Sequence, residues 1–298
     1  LNVRVRPGTQ HDAEAFCALF NSLYGRQVDA PYFHWRFFST PFPTDLWVAT
    51  AGDTPVGFYG AHHLPSADGH SALTLCVDIM VRPDVQRRGI FRQLVSAARK
   101  ASSSATICVM ANAAARDAHV RGDGWSHVAT IPTHTAEAAP CDVDDGYTVR
   151  SITRFADRHT RLWEALAASR PHVLATRRDA SYLNWRFVDN LWHEYTAFDV
   201  VRSRAGAGHL AGYLVAKTFR DPATGLASGD LVDMAWLPDD LDAPEAILRH
   251  GLRHFASLGV GSVSTWFETG TRLDEVGAEL GFRETSLVRE FCVRPLDP

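Results

Sequence analysis

The sequence lacks an excess of basic charge and any long apolar run. Its 30 Lys and Arg residues stand against 34 Asp and Glu residues, which gives a formal net charge of −4. Nucleic acids and anionic membranes attract basic surfaces, and a membrane-spanning helix needs about 18 or more consecutive apolar residues. We therefore expect a soluble protein that binds neither partner, although this balance still allows a local basic site.

The sequence also lacks the cysteine spacing of a zinc site. Its five cysteines are odd in number and widely scattered, without a Cys-x-x-Cys pair. This pattern favours reduced thiols in a cytoplasmic protein that holds no metal. Residues 1–7 alternate like a strand and contain no signal-peptide core. Because the sequence begins with Leu1 instead of methionine, we expect the natural chain to begin further upstream.

The composition is that of an ordinary globular protein, with 46% hydrophobic and 21% charged residues. A length of 298 residues fits one large domain or two ordinary ones. An internal repeat decides between them.

Four segments of the first half recur in the second half in the same order. The pairs are residues 29–37 (DAPYFHWRF) and 179–187 (DASYLNWRF), 56–58 and 211–213, 77–84 (VDIMVRPD) and 232–239 (VDMAWLPD), and 124–125 and 281–282. The repeat is far longer than the roughly 20–50 residues of a solenoid unit, so it indicates a duplicated domain. We predict domains at residues 1–136 and 146–298, with the boundary inside a Pro- and Asp-containing linker, residues 133–146.

Periodicity in the first half predicts alternating strands and helices. The predicted strands are residues 3–6, 46–51, 54–62, 72–81, 106–111 and 126–131, and the predicted helices are residues 10–24, 32–38, 89–102 and 113–121. Antiparallel neighbours come first and a strand-helix-strand crossover comes later, which indicates a mixed α/β domain.

The segment between the long strand and the following helix has the features of a phosphate site. Residues 75, 77, 79 and 81 are apolar and alternate with Asp78, so Asp78 lies on the other face of the strand. The loop ends at Gly89 and opens a helix, whose free N–H groups and dipole favour an anion. Arg82, Arg87, Arg88 and Arg92 add positive charge. An ordinary solvated turn is the alternative.

At residues 86–91 (QRRGIF) the sequence resembles the GNAT superfamily of N-acetyltransferases, whose signature is Gln/Arg-x-x-Gly-x-Gly/Ala. Gln86 and Gly89 match its first two fixed positions, whereas Phe91 departs from the third. Asn112 at the start of the next helix and the ending at Gly124 and Trp125 fit the same family. The resemblance implies two tandem GNAT-like domains, each with a mostly antiparallel central sheet flanked by helices.

The resemblance also implies acetyl-CoA, or another acyl-CoA, as co-substrate. The strand at Ile79, Met80 and Val81 would pair with the pantetheine arm, and backbone N–H groups near Ile79 and Met80 would stabilise the oxyanion. The pyrophosphate would bind a set of loop and helix residues: Gln86, Arg87, Arg88, Gly89, Ile90, Phe91, Arg92 and Asn112.

The sequence contains few candidates for proton transfer. Burial would suit Asp78 as a general base, but Asp233 occupies the matching position of the second half, so both could instead hold a bulge or cap a loop. His62 and His63 are alternatives as a relay. The position of the Tyr that many family members use as general acid holds Val120, and the adjacent His119 is the candidate substitute.

The second copy lacks these features. Its loop, residues 237–245, contains no glycine and no arginine, but it contains four acidic residues, and we expect Asp242 to cap the next helix. The second domain is therefore predicted to carry a degenerate CoA site and to form one wall of the acceptor pocket.

The predicted function is transfer of an acetyl or short acyl group to a primary amine of a small molecule, by a monomer or weak homodimer. The repeated Tyr-x-x-Trp-Arg-Phe element suits packing or a ring-bearing or anionic substrate. It resembles a segment of GNAT-like proteins of polysaccharide and secondary-metabolite pathways, which favours an amino sugar or a natural-product intermediate as acceptor. An aminoacyl-tRNA-dependent transferase and a non-catalytic acyl-CoA sensor are the alternatives.

Overall fold

The computed structural model describes residues 2–66, 72–101, 106–111, 116–117, 119–120, 124–142, 146–171, 173, 175–203, 209–221 and 224–295. Contacts between Cα atoms divide the chain into two compact units. The N-terminal unit consists of Leu1–Met110, Arg116–His127 and Cys292–Pro298, and the C-terminal unit of Ala111–Ala115 and Val128–Phe291. The domain limits 1–136 and 146–298 stay a prediction.

Strands and helices alternate in the N-terminal unit as the periodicity predicts. They are β1 (Val3–Pro7), α1 (Ala13–Tyr24), α2 (Ala30–Phe37), β2 (Thr44–Ala51), β3 (Thr54–Pro65), β4 (Ala72–Val81), α3 (Ile90–Ala101) and β5 (Thr106–Ala111). Helix α1 ends at Gly25, whose φ of 60° gives the left-handed C-cap that glycine favours. Asp29 begins α2 by accepting a hydrogen bond from the backbone N–H of Tyr32.

The N-terminal sheet has the strand order β1-β2-β3-β4-β5. The first four strands are antiparallel neighbours, and β5 lies parallel to β4. The pairing of β4 with β5 covers only Leu73 to Leu75, opposite Thr106 to Cys108. Among the described residues, the edge of β4 from residue 76 onward therefore has no ladder partner on the β5 side.

The repeated aromatic motif is part of the N-terminal core. Phe33, Trp35 and Phe37 on α2 are buried, and the Phe16 ring lies 5.2 Å from Phe33, 5.3 Å from Phe37 and 5.3 Å from Phe58. Edge-on and tilted contacts at these distances stabilise a core beyond simple area burial. The packing role of this element is what the structure shows.

The C-terminal unit repeats the order of elements. It contains most of β6 (Ser126–Glu137), then β7 (Tyr147–Ile152), α4 (Asp157–Ser169), α5 (Ala180–Leu183) with a π-helical turn (Asn184–Val188), β8 (Tyr195–Arg202), β9 (Leu210–Arg220), β10 (Ala227–Trp236), α6 (Ala243–Ser257), β11 (Ser262–Trp266), α7 (Arg272–Glu279) and most of β12 (Arg283–Pro295). The strand order is β12-β6-β11-β10-β9-β8-β7.

Two predicted features differ from the structure. Strand β6 continues to Glu137, because Thr133 to Glu137 pair antiparallel with β11, so part of the predicted linker is strand. The predicted helix at residues 113–121 lies largely outside the described residues, which show helix only at 116–117 and 119–120.

Glycine recurs in both units for one steric reason. A Cβ at Gly57 would lie 2.9 Å from the carbonyl oxygen of Met80, and a Cβ at Gly212 would lie 2.5 Å from that of Ala235. Real Cβ atoms do not approach backbone oxygens so closely, so the neighbouring strand excludes any side chain at either position. Among the described residues, no helix is long and apolar enough to cross a membrane.

Candidate cofactor site

A β-bulge lies on β4 beside its unpaired edge. Phe58 pairs with Met80 and Gly60 pairs with Val77, so Asp78 and Ile79 together lie opposite Tyr59. Asp78 has a φ of 51°, which few residues other than glycine, asparagine and aspartate adopt readily. Bulges re-aim side chains and often lie next to active sites. The interpretation of Asp78 as a bulge residue fits this geometry.

Asp78 is also the partner of Arg36. The Arg36 Nε donates to Asp78 Oδ2 at 2.8 Å, and both side chains are largely buried, with 15% and 14% of their surfaces exposed. Arg36 belongs to the repeated aromatic motif on α2, so the core packing of that helix fixes the guanidinium against the bulge. This pair joins the repeated aromatic motif to the bulge of β4.

The C-terminal unit holds its matching aspartate differently. Asp233 Oδ1 accepts from the Tyr213 hydroxyl at 2.9 Å, and Asp233 Oδ2 lies 3.5 Å from Arg178 Nε. Arg186, the counterpart of Arg36, instead lies over the Phe187 ring at 5.7 Å from its centroid. Burial raises the pKa of Tyr213 well above its ordinary value. The two units thus keep the aspartate and exchange its partners.

The loop after β4 leaves a continuous run of backbone donors. Pro83–Val85 form a 3₁₀ turn, in which the N–H of Val85 donates to Arg82 O and that of Gln86 to Pro83 O. The next such bond is donated by Gln93 to Gly89 O, at 3.1 Å. Within the described part of the chain, the six N–H groups from Arg87 to Arg92 have no backbone acceptor.

The loop backbone contains two left-handed residues. Arg87 and Gly89 have positive φ angles of 62° and 78°, on either side of Arg88. Alternation of right- and left-handed residues makes a nest of N–H groups that binds anions, and the first turn of α3 continues it. A Cβ added at Gly89 meets no atom within 4 Å, so this glycine leaves the mouth of the nest open.

Charge around the nest is positive. Arg87, Arg88 and Arg92 are exposed, and the first turn of α3 contains no acidic residue. Arg82 differs, since its Nε donates to Asp84 Oδ1 at 2.6 Å, which lowers the pKa of that carboxyl. Gln86 Nε2 donates to Val81 O at 3.0 Å and so ties the loop to the end of β4.

The departure from the family signature at Phe91 has a packing reason. The Phe91 ring lies 5.4 Å from the His119 ring, which lies 4.6 Å from that of Trp125. His119 is 2% exposed. The large side chain at position 91 therefore covers the imidazole of the candidate general acid, whereas the backbone N–H of Phe91 stays part of the nest. Val120 is 41% exposed.

The two alternative relay residues are held by hydrogen bonds. His62 is 2% exposed and its Nε2 contacts the backbone oxygen of Arg36 at 3.0 Å. His63 bonds Thr74 at 2.8 Å and Asp45 at 3.0 Å through its two ring nitrogens. Both imidazoles thus support the local structure. Asn112, the remaining predicted cofactor contact, lies outside the described residues.

Buried thiols add no nucleophile to this region. Burial raises the pKa of Cys76 to about 12 and that of Cys108 to about 12, and a protonated thiol does not attack a thioester. Neither buried thiol is therefore a candidate nucleophile.

In the corresponding loop of the C-terminal unit, a carboxylate of the chain itself occupies the N-terminus of the following helix. Asp240 is 2% exposed, and its Oδ1 accepts from the backbone N–H of Ala243 at 3.2 Å and from the Tyr147 hydroxyl. Its Oδ2 accepts from Arg202 Nε at 2.7 Å. An anion is thus already present at the N-terminus of α6.

The expectation that Asp242 is the N-cap residue of α6 is confirmed. Asp242 is the N-cap residue, but its side chain makes no capping bond. Its φ of −95° and ψ of −21° differ from the extended conformation in which a side-chain oxygen reaches the N2 or N3 amide. Asp240 reaches the helix end from one turn earlier.

Comparison with known proteins agrees with this geometry. Residues 13–125 match the model of the acetyltransferase (GNAT) family. A GCN5-related N-acetyltransferase from Anabaena variabilis superposes with a TM-score of 0.74 at 10% identity, over 99% of this chain and 73% of that one. A tandem GNAT protein from the clavulanic acid biosynthesis pathway gives 0.65 at 18% identity, over 100% and 99%.

A third similar structure is a glucosamine N-acetyltransferase region of a fungal multi-domain GH3 β-N-acetylglucosaminidase, with a TM-score of 0.67 at 13% identity, over 99% of this chain and 38% of that one. A search of curated protein sequences returns no significant match.

Residues 13–125 are therefore similar to the GNAT family of acetyltransferases, and the fold of the whole chain is similar to that of a tandem GNAT protein. The matched family is one of acetyltransferases, which agrees with the sequence-based prediction of a GNAT-type acyltransferase.

Proposed function

We propose that this enzyme transfers an acetyl or other short acyl group from acyl-CoA to a primary amine of a small molecule, and that CoA binds only in the N-terminal unit. The observation that carries the proposal is the run of six N–H groups from Arg87 to Arg92, which have no backbone acceptor among the described residues, beside the edge of β4 that pairs with no described strand beyond residue 75. An extended pantetheine arm can add to a strand edge, and a pyrophosphate fits a nest at a helix N-terminus.

The cofactor contacts follow from this placement. Ile79, Met80 and Val81 would pair with the pantetheine arm, and the remaining contacts would hold the pyrophosphate: Gln86, Arg87, Arg88, Gly89, Ile90, Phe91, Arg92 and Asn112. Arg87, Arg88 and Arg92 supply exposed charge, whereas Asp240 fills the matching place of the C-terminal unit. Both facts support a single CoA site.

The transfer forms a C–N bond and breaks the thioester C–S bond. The amine must lose a proton and the leaving thiolate must gain one, while N–H groups near Ile79 and Met80 would stabilise the oxyanion. We assign Asp78 as the general base and His119 as the general acid. Asp78 is the stronger candidate, because 14% of its side chain is exposed beside the strand edge, compared with 2% of His119.

Two of the similar structures support a particular kind of acceptor. One is a tandem GNAT protein of clavulanic acid biosynthesis, and the other is a glucosamine N-acetyltransferase region. An amino sugar or an amine-bearing natural-product intermediate is the acceptor that we propose for this chain. The net charge of −4 disfavours a tRNA-bound substrate.

Thiol release from acetyl-CoA tests the proposal with a panel of glucosamine, a diamine and amino acid amides as acceptors. We expect release with at least one amine. Asp78→Asn should lower kcat by about 100-fold or more with little change in acetyl-CoA affinity. The role of His119 is tested by His119→Gln, and the matched control is His11→Gln, because His11 is exposed. Binding of acetyl-CoA without thiol release from any amine would favour a sensor instead.

A further inference from the structure

The C-terminal unit contains a cavity of about 680 Å³ where β10 and β11 separate. The pairing of these strands ends at Asp230 and Ser264, and the residues that follow on both strands line the cavity. We call it the C-terminal cavity. Every residue that lines it belongs to the C-terminal unit. A pocket of this size holds a small molecule.

The lining of the C-terminal cavity is positively charged in a chain of net negative charge. Its basic residues are Arg170, Arg178, Arg186, Lys217 and Arg289, and its acidic residues are Asp230, Asp233 and Glu268. The excess of positive charge favours an anion. The excess amounts to about two charges, which suits a small anion.

Arg178 lies in the lining of the cavity beside Asp233. Its side chain is 41% exposed, and its Nε lies 3.5 Å from Asp233 Oδ2, a long ion pair that does not meet hydrogen-bond geometry. The charge of Asp233 raises the pKa of Arg178, so the guanidinium stays cationic. The exposed part of this guanidinium can bind an incoming oxyanion through charge-assisted N–H bonds.

Neighbouring arginines leave further donors for the same anion. Arg170 and Arg186 form no ion pair within the part of the chain that the structure describes. Arg170 is exposed at the end of α4. Guanidinium groups bind carboxylates through two parallel N–H bonds, so two or three of them around one opening form a carboxylate site.

The remaining wall of the cavity is apolar. It includes Leu166, Met234, Trp236, Trp266 and Leu273. Trp266 is 47% exposed, and its indole N–H donates to Thr133 Oγ1 at 3.2 Å, which fixes the ring. A ligand with an apolar or aromatic body can therefore cover indole surface while its charged end meets the arginines.

We infer that the C-terminal cavity binds a small carboxylic acid with an apolar or aromatic body, the carboxylate lying against Arg178. This site goes beyond the CoA site of the N-terminal unit. The anion-binding end of α6 is filled by Asp240, so the ligand is a small acid and not a second CoA.

Calorimetry with 3-phenylpropionate tests the site, and its neutral amide, 3-phenylpropanamide, is the matched probe. We expect saturable binding of the acid and at least about tenfold weaker binding of the amide. Arg178→Gln and Arg170→Gln should each weaken binding of the acid by about fivefold or more. Arg161→Gln is the control, because Arg161 is exposed on α4 outside the lining.

A Gly89→Glu variant separates this site from the CoA loop. Binding of the acid should be the same in that variant, whereas its loss there would assign the acid to the nest and overturn the proposal. Equal affinity for acid and amide, no saturable binding of the acid, or full affinity in Arg170→Gln would also overturn it. Because Arg170 is exposed, its variant keeps the test valid if Arg178→Gln does not fold.

Discussion

Two glycines provide a matched test of the CoA loop. Gly89, in the loop, has a φ of 78°, and Gly259, after α6, has a φ of 69°. A Cβ added at either glycine meets no atom within 4 Å. Replacing either residue by glutamate therefore imposes the same backbone strain, about 1–2 kcal/mol, without a clash. Only at Gly89 does the new carboxylate lie among unbonded N–H groups.

The expected loss of affinity follows from Coulomb's law. A glutamate carboxylate at Gly89 would lie about 6 Å from the pyrophosphate, and at an effective dielectric of about 20 two unit charges at that distance repel by about 2.8 kcal/mol. This corresponds to about a 100-fold increase in Kd. Salt reduces the repulsion, because the loop is exposed.

Isothermal titration calorimetry with acetyl-CoA measures this difference, with thermal melts as a control for stability. We expect Gly89→Glu to raise Kd by about 100-fold at low salt and less at high salt. Gly259→Glu should keep the wild-type Kd while it lowers Tm to a similar degree. Wild-type affinity in Gly89→Glu, or an equal loss in both variants, would refute the placement of the pyrophosphate.

Three further predictions concern stability. The pKa of His250 is lowered to about 4 by burial, below the ordinary value of 6.5, so the free energy of unfolding should fall as pH falls from about 6.5 to 4. We expect His250→Phe to remove about 2 kcal/mol of that fall, a value that allows for the partial exposure of the imidazole. Urea titrations at each pH measure the free energy of unfolding. Arg36→Gln should lower the free energy of unfolding by about 1–3 kcal/mol. The double variant with Asp78→Asn should lose less than the sum of the two single variants, which a double-mutant cycle measures. Asp240→Asn should lower the free energy of unfolding by about 1–3 kcal/mol, because Arg202 loses its charged partner. An unchanged midpoint of urea unfolding would show that the carboxylate does not stabilise the end of α6.

The segment from β4 to α3 could be predicted from sequence because its signals are local. Alternation predicts the strand, and Gly89 with its flanking arginines predicts the anion-binding turn, since such a turn depends on backbone conformation over few residues. The repeat predicts the second copy in the same way. These inferences use spacing along the chain and need no knowledge of contacts.

The pairing of Arg36 with Asp78 could not be predicted, because the two residues are 42 positions apart and meet only once α2 packs on the sheet. The conserved pattern of the repeat gave no help, since the second unit pairs Asp233 with Tyr213 and Arg178 instead. Likewise, four nearby carboxylates do not reveal which side chain bonds the end of α6. Asp242 is the N-cap residue, but Asp240 accepts from the Ala243 N–H and pairs with Arg202, which lies 38 positions away.

The closed loop of the C-terminal unit makes the two copies respond differently to dissolved cofactor. Asp240 acts as a tethered counterion, always present at the helix end whatever the solution contains. If the nest of the N-terminal unit binds acyl-CoA as we propose, its counterion comes from solution, and the resistance of that unit to unfolding should rise with the logarithm of acyl-CoA concentration above Kd.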